Sequence, residues 1–265
     1  MKVAVISAEP TLGKSTFIEV LGGVFSRSQG KDVVVFTTGN AKDNIDLITN
    51  NMPANANLDS PYVVKAMIEN ETEDPKTLLH YGIMAGDERV FYYDIMNSVM
   101  SDDDKLEFLL TAIKGIPADL TLVEIVGDVE SDINKKVMDL CDCSIVLVDT
   151  SIKGIAKYKE IMSKLPGGSM QLNSAMVVSR VNPAVVSDKK FAEKIGKKTT
   201  DLYRFPYNPV LTKLAFNGEL DSVIYNILVG DAEVVNLRMP MQEIMEFIFN
   251  TPKRKMIRSI DRWYK

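Results

Sequence analysis

Residues 2–16 decide the architecture: Lys2-Val3-Ala4-Val5-Ile6, then Ser7 and Ala8-Glu9-Pro10-Thr11-Leu12-Gly13-Lys14-Ser15-Thr16. Val3 to Ile6 is a continuous apolar run without polar alternation, the mark of a strand buried on both faces. A helical stretch from about Lys14 to Ser28 follows the polar turn. Strand, turn and helix in that order are the setting of the phosphate-binding loop, G-x-x-x-x-G-K-S/T. Gly13-Lys14-Ser15 fit the pattern, and Ala8 stands where its first glycine falls. The parts that matter most to an anion are kept. Gly13 turns backbone amides toward it, Lys14 reaches the β and γ phosphates, and the Ser15 hydroxyl ligates Mg²⁺ at a helix N-terminus. An ordinary strand-to-helix turn is the plain alternative.

Outward from this unit the same alternation continues. Asp32-Val33-Val34-Val35-Phe36, Arg89 to Asp94, Leu120-Thr121-Leu122-Val123-Glu124, Ser144 to Asp149 and Ala175 to Ser179 read as five further strands. A helix over Asp102 to Lys114 opens on three acids suited to its positive end. Strands separated by helices predict an α/β fold: a doubly wound, mostly parallel sheet flanked by helices, in a single domain. Residues 40–87 carry Asn50-Asn51, Pro53, Pro61 and Pro75, contain no clear strand, and read as an insertion or long loop. The organisation expected is a domain over 1–250 and a basic amphipathic tail over 251–265.

The chain has 265 residues, 46% hydrophobic and 25% charged, which excludes disordered and fibrous classes. No apolar run approaches the ~20 residues of a membrane-spanning helix, and no cleavable leader is expected. Two cysteines, Cys141 and Cys143, make neither a disulfide framework nor a metal site, so a reducing cytoplasm is expected. They read as small packing residues, and His80, the sole histidine, has no ligand partners nearby in sequence. Net charge is −5, but six of the 31 bases and one of the 36 acids lie in 253–265. The tail therefore carries +5 and the rest −10, which counts against a surface that coats nucleic acid.

Four segments in order resemble the MinD/ParA-type deviant-Walker ATPases, including their degenerate TadZ/CpaE-like branch. They are the loop ending in Gly13-Lys14-Ser15-Thr16, Val123-Glu124-Ile125-Val126-Gly127, Val177-Val178-Ser179-Arg180-Val181-Asn182-Pro183, and Phe205-Pro206-Tyr207-Asn208-Pro209 with Ala215 and Asn217-Gly218. The resemblance implies that ATP or ADP with Mg²⁺ is held by Glu9, Pro10, Thr11, Leu12, Gly13, Lys14, Ser15 and Thr16. Arg180, Asn182, Pro206, Tyr207 and Asn208 would lie on the base side, and Ser15 and Glu124 on the metal, Glu124 through water. It further implies a homodimer, a client protein machine and a membrane surface as partners.

The departures are equally specific. The family's signature lysine, which acts on the partner's nucleotide, falls at Glu9. Its D-x-D after the second strand falls at Thr37-Thr38-Gly39, where Asp43 or Asp46 substitutes only if the loop bends back. The Walker B aspartate is Glu124, the one weak candidate for a catalytic group. Phosphoryl transfer needs neutralised charge and an oriented water, so the expectation is nucleotide binding with slow or absent hydrolysis. The expected role is a membrane-associated positioning or assembly regulator in pilus, secretion, conjugation or division systems, at the inner face of the cell membrane. A DNA-partitioning ATPase, a nucleotide-free pseudo-ATPase scaffold and a ligase of the same fold are the alternatives. Placed on a helix, Met256, Ile257, Ile260, Trp263 and Tyr264 form one apolar face among six bases, after Pro252 at the helix start. That composition suits a helix in the headgroup plane; a last helix packed on the domain is the alternative.

Overall fold

β1 (Lys2–Ser7) and β2 (Val33–Thr37) are buried because the sheet they enter is covered on both faces. The computed structural model describes residues 1–39, 75–84, 89–93, 95–96, 100–165, 173–181 and 187–251. Among these, β3 (Ile83–Met84), β4 (Val90–Tyr92), β5 (Leu120–Glu124), β6 (Cys143–Val148), β7 (Ser174–Val181) and β8 (Leu202–Pro206) complete one eight-stranded sheet. Its order is β3-β4-β2-β5-β1-β6-β7-β8. Every pairing is parallel except β3 with β4. The expected doubly wound, mostly parallel sheet is therefore present, and the fold is a single α/β domain.

Two strands depart from expectation. The short β3 lies inside the stretch read as strandless, and β8 closes the opposite edge. The rest of the proposed 40–87 insertion, apart from a 3-10 turn at Pro75–Tyr81, lies outside the described residues, as do Asp43 and Asp46.

Among the described residues the helices are α1 (Lys14–Gln29), α2 (Asp102–Gly115), α3 (Asp132–Met138), α4 (Ile152–Lys164), α5 (Asp188–Ile195), α6 (Pro209–Asn217), α7 (Leu220–Val229) and α8 (Arg238–Asn250). α1 packs on β5 and against α7 and α8, and its Phe17 meets Phe205 of β8 edge-on at 5.2 Å. The cap of α2 is Ser101. Its Oγ accepts from the Asp104 amide at 3.2 Å, and the acids follow in the first turn, where the helix dipole favours them. Cys141 and Cys143 are fully buried, and burial pushes the Cys143 thiol up to about 12, so they are packing residues.

Topology places the site. β1 sits between β5 and β6: the chain leaves it toward β2 on one side and, after β5, crosses to β6 on the other, so the carboxyl end of β1 is the point where strand order reverses. Crevices for ligands open at such points in doubly wound sheets. Residues 8–16 occupy that position.

Candidate functional site

β1 hands over to the loop through the Ala8 amide, which donates to Leu147 O at 2.9 Å and extends the ladder with β6. The Ser7 hydroxyl donates to the Glu9 carbonyl, and Pro10–Leu12 form one 3-10 turn. Leu12 is buried, and its carbonyl accepts from Ser179 Oγ of β7 at 2.7 Å. Gly13 then adopts φ +74°, a left-handed conformation that costs other residues about 1–2 kcal/mol. This reversal starts α1 at Lys14, so the first-turn amides have no carbonyl behind them in the helix and carry its positive end.

Glu124 ends β5 between β1 and β2, paired in register with Val5 and Thr37. Its carboxylate is buried and accepts from Ser15 Oγ at 2.8 Å. Lys14 Nζ lies 3.8 Å from the same carboxylate and donates to the Ile125 carbonyl. Burial lowers the Lys14 pKa, and the charge of Glu124 opposes that shift. The three side chains border a cavity of about 600 Å³ whose wall includes Pro10, Thr16, Gly127 and Lys157. They fit a magnesium phosphate: a helix N-terminus, a lysine, a hydroxyl and one carboxylate converge there. Among the described residues no cluster of three His, Cys, Asp or Glu side chains is suited to a metal, so an ion here would share phosphate oxygens.

Glu9 turns away from this role. Its carboxylate pairs with Lys153 Nζ of α4 at 3.1 Å, within the same chain. The substitutes for the acidic pair are also committed elsewhere. Thr38 Oγ1 accepts from the Val126 amide at 2.9 Å, the Thr38 amide donates to Glu124 O at 2.9 Å, and Thr37 Oγ1 accepts from the Gly39 amide at 3.0 Å. The Thr38 bonds staple the end of β2 to the end of β5.

On the other side of the loop, Leu12, Gly13 and Thr16 border a second, smaller cavity of about 80 Å³ with Pro206, Tyr207 and Asn208. The loop and the β8–α6 turn, almost two hundred residues apart in sequence, are thus brought together. Tyr207 is exposed. Asn208 is buried and fully used: Oδ1 caps α6 through the Val210 and Leu211 amides at 2.9 and 3.1 Å, and Nδ2 donates to Glu233 O and Asn236 Oδ1 at 2.7 and 2.9 Å. The side chains of Thr11, Arg180 and His80, and all of Asn182, lie outside the described residues.

Sequence reasoning missed two features. Lys153 and Lys157, one turn apart on α4, flank the loop; the i, i+4 spacing after a strand was the available signal. Glu19, one turn beyond Ser15, is fully buried: Tyr92 Oη donates to its Oε2, while Oε1 has no hydrogen-bond partner. Burial raises the Glu19 pKa well above its ordinary value; the Tyr92 bond lowers it, and the charge of Glu124 adds to the rise.

The topology and loop together define the class: a P-loop NTPase fold of the MinD/ParA type. Solved structures agree. A ParA family ATPase from Chlorobium tepidum matches with a TM-score of 0.68 at 10% identity, over 92% of this chain and 98% of its own. MinD in a MinC:MinD cell division complex from Aquifex aeolicus matches with a TM-score of 0.64 at 13% identity, over 92% and 95%. MinD complexed with Mg-ADP from Pyrococcus horikoshii matches with a TM-score of 0.61 at 10% identity, over 94% and 97%. No family model matches the sequence, and no curated protein does.

Proposed function

We propose that this chain binds ATP or ADP with Mg²⁺ at the loop and acts as a positioning or assembly regulator rather than as a fast ATPase. The observation that carries the reading is the convergence of Lys14, Ser15 and buried Glu124 at the N-terminus of α1, beside a cavity large enough for a polyphosphate. Gly13 and the first-turn amides would cradle the phosphates, Lys14 would neutralise them, and Ser15 would ligate the ion, with Glu124 holding its water. Pro10, Thr11, Leu12 and Thr16 shape the loop, while Pro206, Tyr207 and Asn208, with Arg180 and Asn182, border the base. Mg-ADP in a MinD of the same fold supports the ligand class.

Slow turnover follows from what the loop lacks. With Glu9 bound to Lys153 in cis, and Thr37 and Thr38 tied to the backbone, the positions of the family's second lysine and of its aspartate pair supply no group to orient water or to add to the charge of Lys14 at the γ-phosphate. In this reading the chain forms a homodimer with no activation in trans by Glu9. It acts at the cytoplasmic face of a membrane through residues 253–265, placing a client in pilus, secretion, conjugation or division systems. Those residues lie outside the described part, and each base near an anionic surface adds about 1 kcal/mol of attraction. Among the described residues no helix is long and apolar enough to cross a membrane. The MinC:MinD complex supports a protein client in general terms. The acidic body counts against the DNA-partitioning alternative.

A nucleotide-free scaffold is the second reading. It is favoured by Lys14 and Ser15 already satisfying Ile125 O and Glu124 within the chain. Calorimetric titration of ATP and ADP with Mg²⁺, beside a turnover assay, separates the two. Micromolar affinity lost in Lys14→Ala supports binding; no affinity in wild type leaves the scaffold. Turnover of several per second would refute the account of the missing groups.

A further inference from the structure

One cation at the phosphate-side cavity comes from outside the loop. Lys157 borders the space of about 600 Å³ together with Lys14, Ser15 and Glu124, yet it stands on α4, the helix after β6. On that helix Gly154, Ile155, Tyr158 and Ile161 are buried, while Lys153, Lys157, Glu160 and Lys164 form an outer stripe spaced four, three and four residues apart. Such spacing keeps all four side chains on one side of the helix.

The topology sets where this stripe stands. From β1 the chain crosses to β2 on one side, and from β6 it crosses to β7 on the other. Right-handed crossovers in opposite directions put α1 and α4 on opposite faces of the sheet. Lys14 therefore comes to the cavity from one face and Lys157 from the other.

We propose that Lys157 is a phosphate ligand supplied in cis, closing the site opposite α1, and that it makes the site favour a nucleoside triphosphate over the diphosphate. This rests on the nucleotide reading above and adds a phosphate ligand from outside the loop. The ion pairs around Lys157 leave it free to serve. Lys153 Nζ holds Glu9 at 3.1 Å, so the loop's own acid has a counter-ion and does not claim Lys157. Lys157 Nζ lies 3.0 Å from Glu160 Oε2, but Oε1 of the same carboxylate holds Lys164 at 2.8 Å, and Lys164 also reaches Glu130 at 3.0 Å. When Lys157 turns to an anion, Glu160 keeps Lys164, so no carboxylate is left bare. The pair given up is half-exposed and weak. A phosphate in the cavity offers a charge-assisted bond in its place. A triphosphate carries more negative charge than a diphosphate, so a cation on the wall favours it. Lys157 brings charge but neither a base nor an oriented water, so the slow turnover proposed above is unaffected.

Calorimetric titration of the full chain with ATP and with ADP, each with Mg²⁺, tests this in wild type, Lys157→Ala and Lys159→Ala. Lys159 is exposed on the same helix but off the stripe, and controls for net charge. Expected are a severalfold loss of ATP affinity in Lys157→Ala, a smaller loss for ADP, and no change for either in Lys159→Ala. ATP affinity in Lys157→Ala equal to that of wild type overturns the proposal. So does an equal loss for ATP and ADP, or the same loss in Lys159→Ala. No affinity for either nucleotide in wild type refutes the nucleotide reading and this assignment with it, a result distinct from wild-type binding that Lys157→Ala leaves unchanged.

Discussion

Replacing Glu19 with glutamine should stabilise the protein at neutral pH, by an amount that grows as pH rises. Glu19 lies on the buried face of α1, with Tyr92 Oη on one carboxyl oxygen and no partner on the other. Burial raises its pKa well above the ordinary 4.5, and the charge of Glu124 pushes the same way. A raised native pKa makes the stabilising contribution complete below 4.5 and removes it progressively as pH climbs toward the native value. In that window the unfolded chain has lost the proton that the native chain keeps. Stability falls by about 1.4 kcal/mol for each pH unit from this group alone. The glutamine amide has nearly the same shape, and its carbonyl still accepts from Tyr92, so the variant escapes the slope. Urea unfolding of both proteins at pH steps from about 5 to 8, compared as a difference, isolates the Glu19 carboxyl from all other titrations. Adding Glu124→Gln removes the charge that pushes Glu19 up, so the slope ends at lower pH. A wild-type-to-variant difference that stays flat across the range would refute the reasoning, because Glu19 would then titrate alike in both states.

Asn208→Ala removes the cap of α6 and leaves Glu233 O without its donor, so a loss of about 2–4 kcal/mol is expected in urea unfolding. Thr38→Val leaves the Val126 amide unpaired at the joint between β2 and β5 and should cost about 1–3 kcal/mol, read as a lower thermal midpoint. Glu9→Gln breaks an ion pair whose lysine is 81% exposed, so stability should change by less than about 1 kcal/mol. The same change removes a negative charge beside the phosphate cradle and should tighten ATP binding severalfold in calorimetry; unchanged affinity would place Glu9 outside the phosphates' reach.

The sequence by itself determined six of the eight described strands and the loop. Runs such as Val33 to Phe36 and Ile145 to Val148 are apolar at every position, and only strands covered on both faces need that. Gly13-Lys14-Ser15 between such a strand and a helix was legible because the loop is local: its turn, its left-handed glycine and its helix start lie within nine residues. β8 was not legible as a strand. It lies at the sheet edge with Arg204 exposed and Pro206 at its end, so its pattern carries no continuous apolar run. The two-residue β3 is too short to carry a pattern at all.

Tertiary structure alone decided what the site residues do. That Glu9 is taken by Lys153, that Thr38 serves the backbone and that Asn208 is consumed as a cap depend on partners tens to well over a hundred residues away. Strand order, with β1 at the reversal point, likewise follows from how the crossovers pack rather than from any one segment. Local patterns report which residues must leave water; only the packed sheet determines which of them meet.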